Sequence, residues 1–169
     1  MRVIWMPFEL RPEPVPALDP KGPYLQNAWK NSVYPLAERM GVEMKLPQVT
    51  PQPRTRLAFE GLEFAKDHGA GQAWQTAVMR AFFQRGEDIG NAEVLTRLAA
   101  EAGLDGEAFR RALDAGTYSA RTAELLRLAN EEIEVRGVPL FLIGDLALSG
   151  VQSKETLERV IAQQLEKRT

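Results

Sequence analysis

The sequence predicts an α/β fold in which a large helical block is inserted between an N-terminal strand and a C-terminal strand, hairpin and helix. Three observations predict it. Gly137-Val138-Pro139-Leu140-Phe141 is an apolar strand opening on a Val-Pro bond, and Ala147-Leu148-Ser149-Gly150-Val151-Gln152 is its return. From Tyr24 to about Ala115, apolar residues recur at helical spacing between glycine breaks. After the return, Ser153 opens a last helix with Glu155 and Thr156 in its first turn.

Each element follows from its local pattern. Val3 to Leu10 is rich in β-formers and reads as a strand, interrupted by Pro7 and stopped by Arg11-Pro12-Glu13-Pro14-Val15-Pro16. Tyr24 to Met40 reads as a helix with Ala28, Trp29, Val33, Leu36, Ala37 and Met40 inward and Gly41 as its stop. Pro47, Pro51 and Pro53 make Val42 to Pro53 an extended connector, and Thr55 caps the helix carrying Leu57, Ala58, Leu62 and Ala65. Further helices run from Ala73 to Arg85, from an Asn91 cap through Leu95 and Leu98, and briefly around Phe109 and Leu113. Tyr118 to about Val135 is the longest helical stretch, with Ala123, Leu126, Ala129 and Ile133 on its apolar face. Leu140 to Ile143 lacks polar alternation and reads as a strand covered on both faces. Gly144-Asp145 turns it into the return strand, and the last helix directs Leu157, Val160, Ile161 and Leu165 inward.

The totals exclude several functions. The chain has 169 residues, 44% hydrophobic and 26% charged, with a net charge of −2 and both signs interspersed. That leaves no basic footprint for nucleic acid and no polybasic patch for a membrane. No apolar run reaches the roughly 18 residues that span a bilayer, and the N-terminus lacks a signal-peptide pattern, so the expected location is cytoplasmic. With no cysteine, the chain as written offers no thiolate and no cysteine-ligated metal. The single histidine, His68, falls at a helix end before Gly69, where a cation in the last turn suits the dipole.

Other candidates read as structural. Glu87-Asp88 are adjacent in a turn and point apart, which is poor geometry for acid–base work. Trp29 and Trp74 fall on apolar stripes, whereas Trp5 is the aromatic placed to line a groove. Arg54 and Arg56 flank Thr55 at a helix start and read as solvated charge. Gly69-Ala70-Gly71 lacks the setting of a phosphate loop. Ser32, Ser119, Ser149 and Ser153 have no base placed by motif, so no catalytic residue is assigned.

Trp5-Met6-Pro7-Phe8-Glu9-Leu10-Arg11-Pro12, Thr55-Arg56-Leu57-Ala58, Ala81-Phe82-Phe83-Gln84-Arg85-Gly86-Glu87-Asp88-Ile89, Ala102-Gly103-Leu104-Asp105, Gly137-Val138-Pro139-Leu140-Phe141 and Ser149-Gly150-Val151-Gln152 occur in an order that resembles a known family. It is the DsbA-like thioredoxin-fold oxidoreductases, in the FrnE and 2-hydroxychromene-2-carboxylate isomerase branch. The resemblance implies one thioredoxin-like domain over 1–169, with its thioredoxin part at about 1–12 and 117–169 and an all-helical insertion at about 22–116. It implies that Val138–Pro139 is cis and that Gly137, Val138 and Pro139 face an extended substrate, with Trp5 lining the groove. The family more often has threonine where Leu140 stands.

In that family a strand, a Cys-x-x-Cys or serine-bearing loop and a helix come first. The present sequence starts at the second strand, so the expected fold has its first strand and active-site helix absent. The preferred reading is a misassigned start or a fragment of a complete oxidoreductase. The other is a degenerate member, closed by repacking or by strand exchange in a homodimer. The implied partners are a peptide or protein carrying a thiol or disulfide. No cofactor is implied, except glutathione if the chain is instead an isomerase or transferase of this branch. A non-catalytic peptide-binding role is the third reading.

Overall fold

Prolines and glycines set the boundaries of the elements. The computed structural model describes residues 3–167. The chain divides into two units, Met1–Leu126 and Arg127–Thr169.

In the first unit, α1 (Pro23–Ala28) begins on a proline, whose missing N–H costs nothing at a helix start. A π-helical turn, Trp29–Val33, leads into α2 (Tyr34–Met40). Pro35 explains the widened turn: it cannot donate to the preceding turn, and its ring crowds the carbonyl four residues back. Gly41 ends α2 in left-handed backbone at φ 64°. The connector that follows holds no helix or strand, and its Leu46 N–H donates to the Tyr34 hydroxyl at 3.2 Å.

Five helices complete this part: α3 (Arg56–Asp67), α4 (Gly71–Arg80), α5 (Ala92–Glu101), α6 (Gly106–Asp114) and α7 (Ser119–Arg127). A π-helical turn, Ala81–Arg85, extends α4. Asn91 caps α5 by accepting from the N–H groups of Glu93 and Val94, as its position predicts, and Asp105 does the same for α6 through Ala108. Thr55 precedes α3 as expected but makes no side-chain capping bond. The core is helix on helix: Leu62 and Ala65 of α3, Trp74 of α4, Leu95 and Leu98 of α5, and Phe109 of α6 are almost fully buried. The Trp74 indole N–H donates to the Ala58 carbonyl at 3.1 Å, so its polar end is satisfied within the core.

The second unit holds a π-helical turn, Leu128–Glu132, and an antiparallel hairpin of β1 (Leu140–Ile143) and β2 (Leu146–Ser149). The last helix, α8 (Lys154–Glu166), is capped by Ser153 through the Thr156 N–H. Phe141 pairs with Leu148 and Leu142 with Ala147. Gly144 sits at φ 62° in the turn, backbone that glycine takes without strain, and a Cβ there would crowd the Gln164 side chain of α8.

Several expectations fail. Val3 to Leu10 forms neither helix nor strand: no ladder forms beside it among the described residues. Pro7 removes one donor, and the segment is held by side chains, with Trp5 Nε1–H bonded to Gln72 Oε1 and Glu9 3.9 Å from Arg56. Leu126 and Ala129 are buried as expected, but in α7 Thr122 is buried where the exposed Ala123 was expected to turn inward. The helical stretch stops short of Val135, at the left-handed Glu134. Leu142 is 56% exposed, so β1 is not covered on both faces, and Leu165 points outward where Gln164 is buried. Met40 is exposed as well.

Gly61 gives the sharpest test of this packing. A Cβ at that position would stand 2.5 Å from the Trp74 ring and 2.8 Å from the Phe109 ring. Gly61→Ala is therefore expected to destabilise by about 1–3 kcal/mol, the usual cost of overpacking a filled core. Urea unfolding followed by tryptophan fluorescence reads this as a lower midpoint at unchanged slope.

Candidate functional site

Gly137, Val138 and Pro139 lie together in the loop that feeds β1. The Val138–Pro139 bond is cis, as are Glu13–Pro14 and Thr50–Pro51. Val138 is 49% exposed, and a Cβ on Gly137 would meet nothing within 4 Å, so the loop stands open. Its downstream end is fixed: the Gly150 N–H donates to the Pro139 carbonyl at 2.9 Å, and the Gln152 amide donates to the carbonyls of Ser149 and Gly150. No hydrogen bond engages the Val138 backbone among the described residues. An anchored proline with an unpaired residue before it offers a donor and an acceptor to an extended chain.

The loop is approached through Glu134, the one non-glycine residue with positive φ (51°) among those described. The Val135 N–H returns to the Ala129 carbonyl at 2.9 Å, which closes the helix end that Glu134 turns. Its carboxylate accepts from Arg136 at 3.1 Å. Trp5 belongs to the first unit, where it is 39% exposed and tied to Gln72.

The remaining candidates hold structure. His68 ends α3, with Nδ1 2.8 Å from the Phe64 carbonyl and its ring stacked on Phe64. Glu87 is shared by Arg85 and Arg97, and Asp88 accepts from the Gly90 N–H. Arg54 is no free surface charge: it donates to the carbonyls of Arg11 and Val15 and pins the proline-rich loop. Among the described residues no cluster of three or more His, Cys, Asp or Glu is placed to hold a metal. Nor is any helix among them long and apolar enough to cross a membrane.

Sequence reasoning missed a buried acidic stripe on α3. Glu60 and Glu63 are buried, and Glu63 contacts Lys66 at 2.5 Å and Arg121 at 3.0 Å. Arg121 also grips Asp67 at 2.9 Å, and the Tyr118 hydroxyl donates to Asp67 at 3.1 Å. Glu60 and Glu63 lie three residues apart on one helix face, but nothing in the sequence says that this face turns inward, and Asp67 beyond them is exposed. The Arg121 hydrogen bond holds the Asp67 carboxyl below the usual range; burial opposes it, and the Tyr118 hydroxyl adds a smaller lowering effect.

A family model for the DSBA-like thioredoxin domain matches residues 1–162. The chain belongs to that family. An uncharacterized protein of Bacillus subtilis (strain 168), YwbO, is 44% identical over 169 residues, covering 99% of this chain and 84% of that one. The crystal structure of a probable DsbA oxidoreductase from Streptomyces coelicolor superposes with a TM-score of 0.69 at 26% identity, over 85% of this chain. The present chain spans 62% of that protein's length. A 2-hydroxychromene-2-carboxylate isomerase superposes with a TM-score of 0.70 at 19% identity, over 86% of this chain and 70% of its own, and shares the fold. Among DsbA-like proteins this chain carries no cysteine.

Two outcomes follow. Glu134→Gly removes the cost of left-handed backbone at a residue with a Cβ, partly offset by the freer unfolded chain, for a net gain of about 0.5–1 kcal/mol. Thermal unfolding reads it as a higher Tm. Because the folded pKa of Asp67 is depressed, its contribution is full above the unfolded carboxylate pKa and fades as pH falls below about 4. The stability difference between the wild type and Asp67→Asn is thus constant near neutrality and falls in acid to a lower, pH-independent level, as measured by urea unfolding across pH.

Proposed function

We propose that this chain is the substrate-presenting part of a DsbA-family thiol–disulfide oxidoreductase, with Gly137, Val138 and Pro139 as the surface that meets a peptide or protein thiol or disulfide. The observation that carries the reading is the open Val138 backbone on an anchored proline loop, in a chain of the DSBA-like family. Thiol–disulfide exchange needs a thiolate to attack a disulfide sulfur and form a mixed disulfide. The polypeptide has no sulfur nucleophile of that kind, so by itself it binds and orients without turning over.

One observation favours a second reading, a glutathione-dependent isomerase or transferase. A reaction whose thiol arrives on a small molecule makes no demand for cysteine in the chain, and the fold is shared with a 2-hydroxychromene-2-carboxylate isomerase.

The 169-residue polypeptide is expected to leave the rate of insulin reduction by dithiothreitol at background, yet to bind a labelled extended peptide in fluorescence anisotropy. Val138→Asp, at an exposed position, should weaken that binding by about tenfold without lowering Tm. Insulin reduction above background overturns the inactive reading. Glutathione-dependent turnover of 2-hydroxychromene-2-carboxylate moves the assignment to the isomerase. Failure to bind any extended peptide removes the presenting role.

A further inference from the structure

The residues leading into the Val138–Pro139 loop include a charged residue in left-handed backbone. Every other described residue with positive φ is a glycine, yet the helix end before the loop is turned by Glu134. Glycine adopts that backbone without penalty, so what a glutamate adds there is its carboxylate. That carboxylate engages Arg136 at 3.1 Å. The Arg136 side chain is 88% exposed, and one of its N–H groups is occupied by Glu134, which leaves most of its planar fork of donors open. Two residues of chain span at most about 7 Å, so Arg136 stands beside Val138 whatever the local backbone.

We propose that Arg136 and Glu134 form a carboxylate-selecting pair at the mouth of the Gly137–Pro139 loop. Arg136 binds a carboxylate that neighbours the substrate's reacting group, through paired N–H···O bonds. Glu134 is a positioning residue: it engages one donor and holds the guanidinium near the loop. The inference rests on the loop being the substrate-facing surface. The ligand chemistry is a carboxylate, from an acidic side chain of a protein substrate or from a small acidic thiol such as glutathione.

The test uses the full 169-residue chain. The probes are the labelled, end-blocked peptide Ala-Ala-Glu-Ser-Ala-Ala, its counterpart with glutamine in place of glutamate, and S-methylglutathione in competition. At low salt at least one carboxylate probe depends on Arg136: Arg136→Gln weakens it about tenfold and leaves the glutamine peptide unchanged. Arg136→Lys restores part of the loss, since an ammonium keeps the charge but not the fork. Glu134→Gly lowers the preference for carboxylate while raising Tm, which separates lost positioning from lost folding. Dependence on Arg136 for the glutamate peptide assigns the carboxylate to a protein substrate, and dependence for S-methylglutathione alone assigns it to the small thiol. Either supports the pair. If the probes bind and Arg136→Gln changes neither carboxylate probe relative to the glutamine peptide, the pair is an ordinary surface ion pair, and the loop reading survives. If no probe binds the wild type, the loop reading fails, and this inference with it.

Discussion

The helical unit depends on the absence of a side chain at Gly61. The Trp74 and Phe109 rings both occupy the space that a Cβ on α3 would take, so α4 and α6 meet α3 at backbone range. The indole N–H then reaches the Ala58 carbonyl, which settles the polar end of a fully buried tryptophan. Phe109 in turn packs edge-on against Phe64, and Phe64 stacks with His68 at the end of the same helix. One missing methyl group thus fixes how three helices approach each other, because a filled core has no slack to accommodate it.

Around that core several charged groups of the helical unit are tied to one another and to backbone. Glu63 and Asp67 share Arg121, Glu87 is shared by two arginines, and Arg54 is spent on two loop carbonyls. Groups engaged in this way stabilise and orient, and they have little capacity left for a substrate. The loop before β1 is the opposite case. Its proline carbonyl is bonded, its valine backbone is not, and an exposed arginine precedes it. Unspent hydrogen-bonding capacity at an anchored position is the chemical basis for reading this loop as the binding surface.

Much of the fold was legible. The limits of β1 were read correctly from an uninterrupted apolar run and a Gly-Asp turn, and Asn91 and Ser153 cap their helices as their positions predict. Gly41 ends its helix for the reason a sequence can state, since only glycine takes left-handed backbone without a clash. The failures share a cause. Val3 to Leu10 has strand composition, but a strand exists only with a neighbour, and composition does not say whether one is there. Ala123 and Leu165 are apolar yet exposed, while Thr122 and Gln164 are polar yet buried, because the geometry of the packed helix decides which face turns inward. In the loop before β1, the Val138–Pro139 pair could be picked out from its motif. Glu134 could not: a left-handed glutamate looks like any other charge in a helical run until its φ is known.

By itself the sequence determined the local grammar of this protein: where helices start and stop, where the hairpin turns, and that no thiolate is available in the chain. These depend on single side chains and their immediate neighbours, so they are written residue by residue. The tertiary structure alone decided that α3 carries buried acids, that Gly61 is a contact point and that Arg54 clamps a loop. It alone showed that the Val138 backbone is left unpaired beside an oriented arginine. Those outcomes depend on which groups meet across long stretches of chain, and distance in space cannot be read from distance in sequence.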